Sequence, residues 1–572
     1  MRHRAPAPAP TSPPHKWPEG PALRTAGLLY LLALAVRAVL VVLFPDPAYP
    51  DASYYVEVAR SIAAGHGLTV DFIWIFAEVG GRIPDVPTLP IPSNAHWLPL
   101  ASLLQAPFIA VLGPTAVASA LPGVLIGALA APMTWAIARD AGSAPNAARA
   151  AGVLVAIPGA VTVFLAQPET FGITMVLVAA ALWAAARGLR GDGRAFALAG
   201  LLAGLLALTR NDGVLLAGTL GLLFLADRVR AFRAHRGSRS WSHVEEDRRA
   251  IPVLAAVSAL VLFLLVVGPW WYRQLAVFGS ISPTSSSGAA LWIRDFREWN
   301  SIVANPSLTT FLAQGWGPII ASRLAGLSSA LTIFSVLVCS VVLVPFLIAG
   351  MLARRGSVAF QPWFAYTFVV FAGATLLYPV HVPGGTFIHT AIGLVPHAAI
   401  LSVEGIVALV GLLAARRRRW NRDQATGVFL WGVVALVVAI AIVFGRPTQV
   451  GWDAVRQPRM DLAGYLDEHA VPRDDRILSI DAGGIKYWTG HPGVVTPDDP
   501  IEVIESVARA YDARWLVVER SDAAQSLGLV LARTRPAWIG APVFSAPSAD
   551  GGLPRLALFP VCTAPSDARC AT

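Results

Sequence analysis

The sequence predicts a polytopic α-helical membrane protein of about eleven transmembrane helices, with a long non-cytoplasmic first loop and a small C-terminal α/β soluble domain. Three observations predict it. Of 572 residues, 55% are hydrophobic and 14% charged, where a soluble chain carries about 25% charged residues. Many apolar runs reach the ~20 residues that cross a bilayer core. Lipid cannot satisfy open backbone groups, so those runs are read as helices. After Phe444 the composition becomes that of an ordinary soluble segment. The net charge of +9 is read as membrane topology rather than as a nucleic-acid surface.

Residues 1–22 are Pro/Ala-rich with Arg2, Arg4 and Lys16, and read as a disordered cytoplasmic tail. The first span, 23–44, is too long for a signal-peptide core and lacks a small-x-small cleavage site, so it is kept as an uncleaved helix. Arg37 interrupts it. A snorkelling Arg near the outer end is favoured over a phosphate partner near Asp51. The first outer loop, 45–115, holds six acids (Asp46, Asp51, Glu57, Asp71, Glu78, Asp85) against two arginines (Arg60, Arg82) between Asp46 and Trp97. That balance does not suit a cytoplasmic loop. Leu98 to Leu112 is apolar but short and contains Pro99 and Pro107, which fits an interfacial or re-entrant helix.

Further spans are expected near 116–138, 150–167, 171–187, 195–208, 213–227, 251–272, 328–350, 361–379, 391–414 and 427–444. The loops at 139–149, 187–194, 227–249, 354–355 and 416–419 are basic, and all fall on one side if Leu98–Leu112 does not cross. This places the N-terminus inside a cell membrane, the acidic first loop outside, and the C-terminus outside. The membrane domain is thus 23–444 and the non-cytoplasmic α/β domain 445–572. In the latter, Arg476–Asp481 and Arg514–Arg520 read as strands, with a helical stretch Ile501–Tyr511 between them. Asp481-Ala482-Gly483-Gly484 is favoured as a structural turn over a nucleotide site, since the G-x-G-x-x-G spacing is absent. Cys339 is expected in the core. Cys562 and Cys570 are open to pairing if that end lies outside, with the paired and free readings level.

The polar groups that fall at outer membrane exits are few. They are Asp51, Glu169, Arg210, Asp212, Arg273, His381 and His389. Ionisable groups at a membrane are costly and point to function. Carboxylates with arginines at one face suit a reaction in which a lipid-linked phosphate leaves and an acceptor hydroxyl is deprotonated. A guanidinium fork fits the phosphate. Tyr54, Tyr55, Trp74, Trp97, Trp292 and Trp316 are read mostly as an interfacial aromatic belt, with sugar stacking as the alternative.

The stretch Pro50-Asp51-Ala52-Ser53-Tyr54-Tyr55, continuing through Glu57, Arg60 and Gly65-His66-Gly67, resembles the first-loop signature of membrane-integral, C-type glycosyltransferases. The nearest group is the protein O-mannosyltransferase and aminoarabinose-transferase group (glycosyltransferase family 39 and relatives). His96-Trp97-Leu98-Pro99-Leu100, Ala207 to Gly213, Pro269-Trp270-Trp271-Tyr272-Arg273 with Phe278-Gly279, and Gly384 to His389 with Pro396-His397 extend the likeness. The resemblance implies a polyprenyl-phosphate sugar donor, inverting transfer on the non-cytoplasmic face, and Asp51 as base. It implies Glu169 as the second carboxylate, where relatives commonly have Asp. Arg210, Arg273 and His96 match donor-phosphate positions, although relatives have Lys-Pro-Pro or His-Pro-Pro where this chain has His96-Trp97-Leu98-Pro99. Tyr54, Tyr55, Asp212 and His389 are candidate substrate contacts. Some relatives use a divalent metal such as Mg or Mn, and Asp51 and Glu169 offer oxygens for one. The implied partners are the bilayer, the polyprenyl-phosphate sugar, and an acceptor glycan, lipid or protein, with no nucleic acid. Two other classes compete. A transporter or flippase of lipid-linked saccharides would place its charges near mid-membrane, and a non-catalytic scaffold leaves the outer carboxylates unexplained.

Overall fold

The computed structural model describes residues 20–74, 81–236, 250–281, 288–377, 386–417, 420–521, 525–532, 534–548, 550–562 and 568–570. The tail, apart from its last residues, and His381 lie outside them.

Helix α1 (Gly20–Leu43) leads into α2 (Pro50–Ala63), which opens the first loop with a proline at its first turn. The loop continues through three short strands, β1 (Thr69–Val70), β2 (Phe72–Ile73) and β3 (Ile91–Pro92). Helix α3 (Leu100–Leu112) has 13 residues, about 20 Å, too short to cross a bilayer. It packs instead along α2, and Ser102 Oγ donates to the Tyr55 carbonyl at 2.9 Å.

The bundle follows: α4 (Ala116–Ala128), α5 (Ala130–Asp140), α6 (Pro145–Ala156), α7 (Phe171–Leu189), α8 (Gly193–Ala207), α9 (Val214–Arg236) and α10 (Val253–Phe278). After α11 (Leu308–Ala313) come α12 (Trp316–Ile333), α13 (Val344–Arg354), α14 (Gln361–Leu376), α15 (Thr386–Ala391), α16 (Val395–Arg416) and α17 (Arg422–Glu468). By length and composition, eight helices among the described residues are able to cross a membrane, or nine with one bent pair. This makes the chain a multi-pass membrane protein. The expected spans at 195–208 and 213–227 correspond to α8, which has 15 residues, and α9, whose last turns carry Asp227, Arg228, Arg230 and Arg233. Val42, Leu254 and Phe368 expose more than 70% of their surface, as lipid-facing side chains do. Helix α7 is buried on nearly every side and forms the centre of the bundle.

Three expectations need correction. The span near 150–167 bends by 54° between α6 and the 3₁₀ segment Gly159–Ala166, because Pro158 cannot donate to the preceding turn. The span near 328–350 is broken. Helix α12 starts earlier, at Trp316, and passes through a π-helical turn (Phe334–Val338) into a non-helical stretch before α13. Ser340 and Val341 have φ of 45° and 60°. Pro345 near the start of α13 removes the donor that would have met the Val341 carbonyl. Arg37 does not snorkel, being 0% exposed within the bundle. Its Nη1 donates to the Ala33 carbonyl at 3.0 Å and to the Ala156 carbonyl at 3.4 Å, the latter at the break after α6. A cation at a helix C-terminus answers carbonyls left open by the break. Replacing Arg37 with Ala is expected to cost about 1–3 kcal/mol by orphaning that carbonyl, read as a lower thermal midpoint in detergent.

Helix α17 does not stop at Gly445. It runs as one 47-residue helix past Pro447 and Pro458 into the α/β layer. That layer holds β4 (Arg476–Ser479), α18 (Ala482–Thr489), β5 (Gly493–Val495), α19 (Ile501–Ala510), β6 (Ala513–Glu519), α20 (Gln525–Leu531), β7 (Phe544–Ala546) and β8 (Leu556–Pro560). The sheet order is β2-β5-β4-β6-β8-β7. Its first strand therefore comes from the loop between α1 and α3, with Phe72 opposite Gly493 in parallel register. Asp481 is a helix cap, accepting from Gly484 N at 2.9 Å and from Arg459 Nη1 at 2.7 Å. Arg459 also makes a two-point pair with Glu519, at 2.8 and 2.7 Å, and so fastens α17 to the sheet. Cys562 and Cys570 form a disulfide, and Cys339 is free and buried.

Candidate active site

Three acid–base groups from distant parts of the chain meet at the N-terminal end of α7. Asp51 sits in the first turn of α2, Glu169 just before α7, and His389 in α15. His389 Nδ1 lies 2.7 Å from Glu169 Oε1, and Nε2 lies 3.7 Å from Asp51 Oδ2. Close backbone passage makes this possible. A Cβ on Gly172 would stand 2.8 Å from the Gly123 carbonyl and 3.0 Å from Gly127 Cα, so α4 and α7 cross at contact distance just below Glu169. The His389 ring stacks on Phe171 with centroids 4.5 Å apart.

Each carboxylate has its own partners. Glu169 accepts from Tyr49 Oη at 3.3 Å and from Thr170 Oγ1 at 3.2 Å. Asp51 accepts the Trp97 indole N–H at 3.1 Å. The Glu169 side chain is 1% exposed and that of Asp51 36%, so Asp51 is the more open of the two. Burial raises the Asp51 pKa, His389 opposes this, Glu169 adds to it, and Trp97 and Arg210 pull it back. A carboxylate with a raised pKa accepts a proton more readily.

Beside this cluster Arg210 pairs with Asp212 through Nε–Oδ1 at 2.9 Å and Nη2–Oδ2 at 3.3 Å. Thr390, next to His389, donates its hydroxyl to Asp212 Oδ2. Burial works against the Arg210 charge, but Asp212, Tyr55 and Glu169 together more than offset it and hold the guanidinium protonated. Tyr55 is buried, its hydroxyl pKa raised by burial and by the Asp51 and Glu169 charges. His96 is pushed down to about 4 by burial and by Arg210, so it is neutral at pH 7. Among the described residues its Nδ1 is buried without a hydrogen-bond partner, and its ring stands edge-on to Trp97 and Trp299 at 5.0 Å each.

The structure thus brings Asp51, Glu169, His389, Arg210, Asp212, Tyr55 and His96 into one neighbourhood. Two other candidates face elsewhere. Tyr54 is fully buried, stacks on Trp97 at 4.2 Å, and takes the Asn94 backbone N–H on its hydroxyl at 2.7 Å. Arg273 donates to the Ser93 carbonyl at 2.9 Å and the Leu68 carbonyl at 3.4 Å, and its guanidinium lies over Trp270. It ties the first loop to α10. Sequence reasoning missed Tyr49, Gln167 and Thr390 as supports. Tyr49 stands two residues before Asp51 and Thr390 directly follows His389, which was the available signal.

Asp51, Glu169 and His389 present one ligand atom each, all within 4.8 Å of one another. His389 Nδ1, although 2.7 Å from Glu169 Oε1, makes no hydrogen bond there. An imidazole nitrogen facing a carboxylate oxygen in this way fits two ligands of one divalent ion, and the carboxylate–imidazole set suits Mn or Zn. The donor set therefore gains a histidine beyond the two expected carboxylates. Titrating chelator-treated protein with Mn²⁺ is expected to show one bound ion per chain, lost in His389→Ala. Equal binding by that variant would place the ion elsewhere.

The fold of this multi-pass bundle is shared with C-type membrane glycosyltransferases of known structure. Within that class, the chain is similar to ArnT from Cupriavidus metallidurans bound to undecaprenyl phosphate. The identity is 14%, over 94% of this chain and 97% of that one, with a TM-score of 0.50. The apo state of the same protein gives 14% identity, 95% and 98% coverage, and a TM-score of 0.50. The archaeal oligosaccharyltransferase AglB from Archaeoglobus fulgidus, at 13% identity with 96% and 75% coverage, scores 0.45 and adds no weight. No family model matches the sequence, and neither does any curated protein.

Proposed function

We propose that the chain is an inverting glycosyltransferase that moves a sugar from a polyprenyl-phosphate donor to an acceptor hydroxyl on the non-cytoplasmic face. The observation that carries this reading is the partly open Asp51 set against Arg210, at one end of the bundle, in a fold shared with a protein that binds undecaprenyl phosphate. Asp51 takes the proton of the acceptor hydroxyl. The acceptor oxygen then bonds the anomeric carbon from the face opposite the phosphate, whose C–O bond breaks with the electron pair going to the phosphate oxygen. Inversion follows from that single displacement. Arg210, kept protonated and aimed by Asp212, faces the phosphate charge with a fork of donors. A phosphate leaves without a strong general acid, which a sugar alcohol would need. Neutral His96 is placed to donate or accept beside the phosphate without adding charge.

Asp51, Glu169 and His389 would hold a divalent ion, which when bound supplies positive charge near the donor phosphate. Glu169 and His389 otherwise fix the outer end of α7 against α2. The Cys562–Cys570 disulfide supports an oxidising, outer location for the α/β layer. Purified protein in lipid nanodiscs, given a panel of labelled polyprenyl-phosphate sugars and membrane extracts as acceptor source, tests the reading. Transfer of one label to a defined product is expected. Movement of intact lipid-linked sugar across the bilayer without transfer would replace the enzyme by a flippase.

A further inference from the structure

The linker between α1 and α2 is only six residues, Phe44 to Tyr49, and it is held from two sides. On the membrane side, Ala48 N donates to Gln167 Oε1 at 2.9 Å and Tyr49 Oη to Glu169 Oε2 at 3.3 Å. On the other side, Asp46 accepts from Tyr487 Oη at 3.1 Å and from Arg456 Nη1 at 3.3 Å. Trp452 packs on Phe44, Tyr49 and Phe164 with ring centroids 5.3, 6.4 and 5.5 Å apart. Trp452 and Arg456 belong to the outer turns of α17, and Tyr487 to α18. The same two bodies meet again where β2 joins the sheet and Lys486 Nζ pairs with Asp71.

We infer that Asp46, Trp452, Arg456 and Tyr487 are positioning residues that set the spacing between Asp51 and Glu169, so that the α/β layer is a working part of the active centre. This rests on the glycosyltransferase reading only for its consequence in turnover. Helix α17 runs without a break from the bundle to the sheet, so the groups that hold the linker from its second side belong to elements joined to the bundle. Asp46 stands five residues before Asp51, and an error of about 1 Å at a reacting group costs on the order of 100-fold in rate.

The test uses the full chain with Asp46→Asn, Tyr487→Phe and the double variant, and Asp475→Asn as control. Asp475 accepts from Trp515 Nε1 at 2.9 Å inside the same layer, away from the linker. Hydrogen–deuterium exchange over residues 46–58 is expected to quicken in the two single variants and not in the control. In the transfer assay kcat is expected to fall about 10- to 100-fold, with donor KM within about twofold, and the double variant no worse than the poorer single one. Unchanged exchange in both single variants overturns the proposal, as does an equal change in the control. Should exchange quicken as expected while the wild-type protein transfers no sugar, the positioning role stands and the proposed reaction falls.

Discussion

Replacing Asp51 with Asn is expected to reduce sugar transfer by about 10²- to 10⁴-fold, the usual contribution of a positioned general base. The amide keeps the size of the side chain and its acceptor oxygen for the Trp97 indole, so folding should be undisturbed. It cannot take the acceptor proton. The fall should therefore appear in kcat at saturating donor, with an unchanged thermal midpoint. Asp51 is singled out over Glu169 because Glu169 is enclosed by Tyr49, Thr170 and His389 while Asp51 retains an open side. Near-normal turnover by Asp51→Asn would move the base elsewhere and remove the central element of the mechanism.

Replacing Arg210 with Lys is expected to lower kcat/KM for the lipid donor by about 10²- to 10³-fold, as for loss of a preorganised donor to developing charge. Lysine retains the charge and so still answers Asp212. It loses the planar fork that meets a phosphate while staying paired at Nε. Alanine is the poorer test, because it leaves Asp212 buried and unpaired beside Thr390, at a cost of about 3–5 kcal/mol in stability. Donor titrations on folded Arg210→Lys protein should separate the two effects. Unaltered donor affinity and turnover would put the phosphate away from this arginine.

Much of the candidate site was legible in the chain because charge is rare in it. At 14% charged residues, an Asp, Glu or Arg at the end of an apolar run stands out, and Asp51, Glu169, Arg210 and Asp212 were found that way. His389 was found too, but as a substrate contact, since nothing local shows that it faces Glu169. The contacts of two arginines were not legible, for one shared reason. Arg37 and Arg273 look alike in sequence, each cationic at an apolar segment, yet their partners are backbone carbonyls at Ala156, Ser93 and Leu68, which no side-chain pattern reveals.

By itself the sequence determined that the chain crosses a membrane repeatedly, which follows from apolar length and the exclusion of open backbone from lipid. It also gave the short strands and helix after residue 475, because those depend on local periodicity. Only the tertiary structure decided which carboxylate is more open, that His389 lies between the two, where two spans break, and that β2 of the first loop completes the α/β sheet. These depend on contacts between residues hundreds of positions apart. Side-chain chemistry states what each group can bond, while packing chooses the partner.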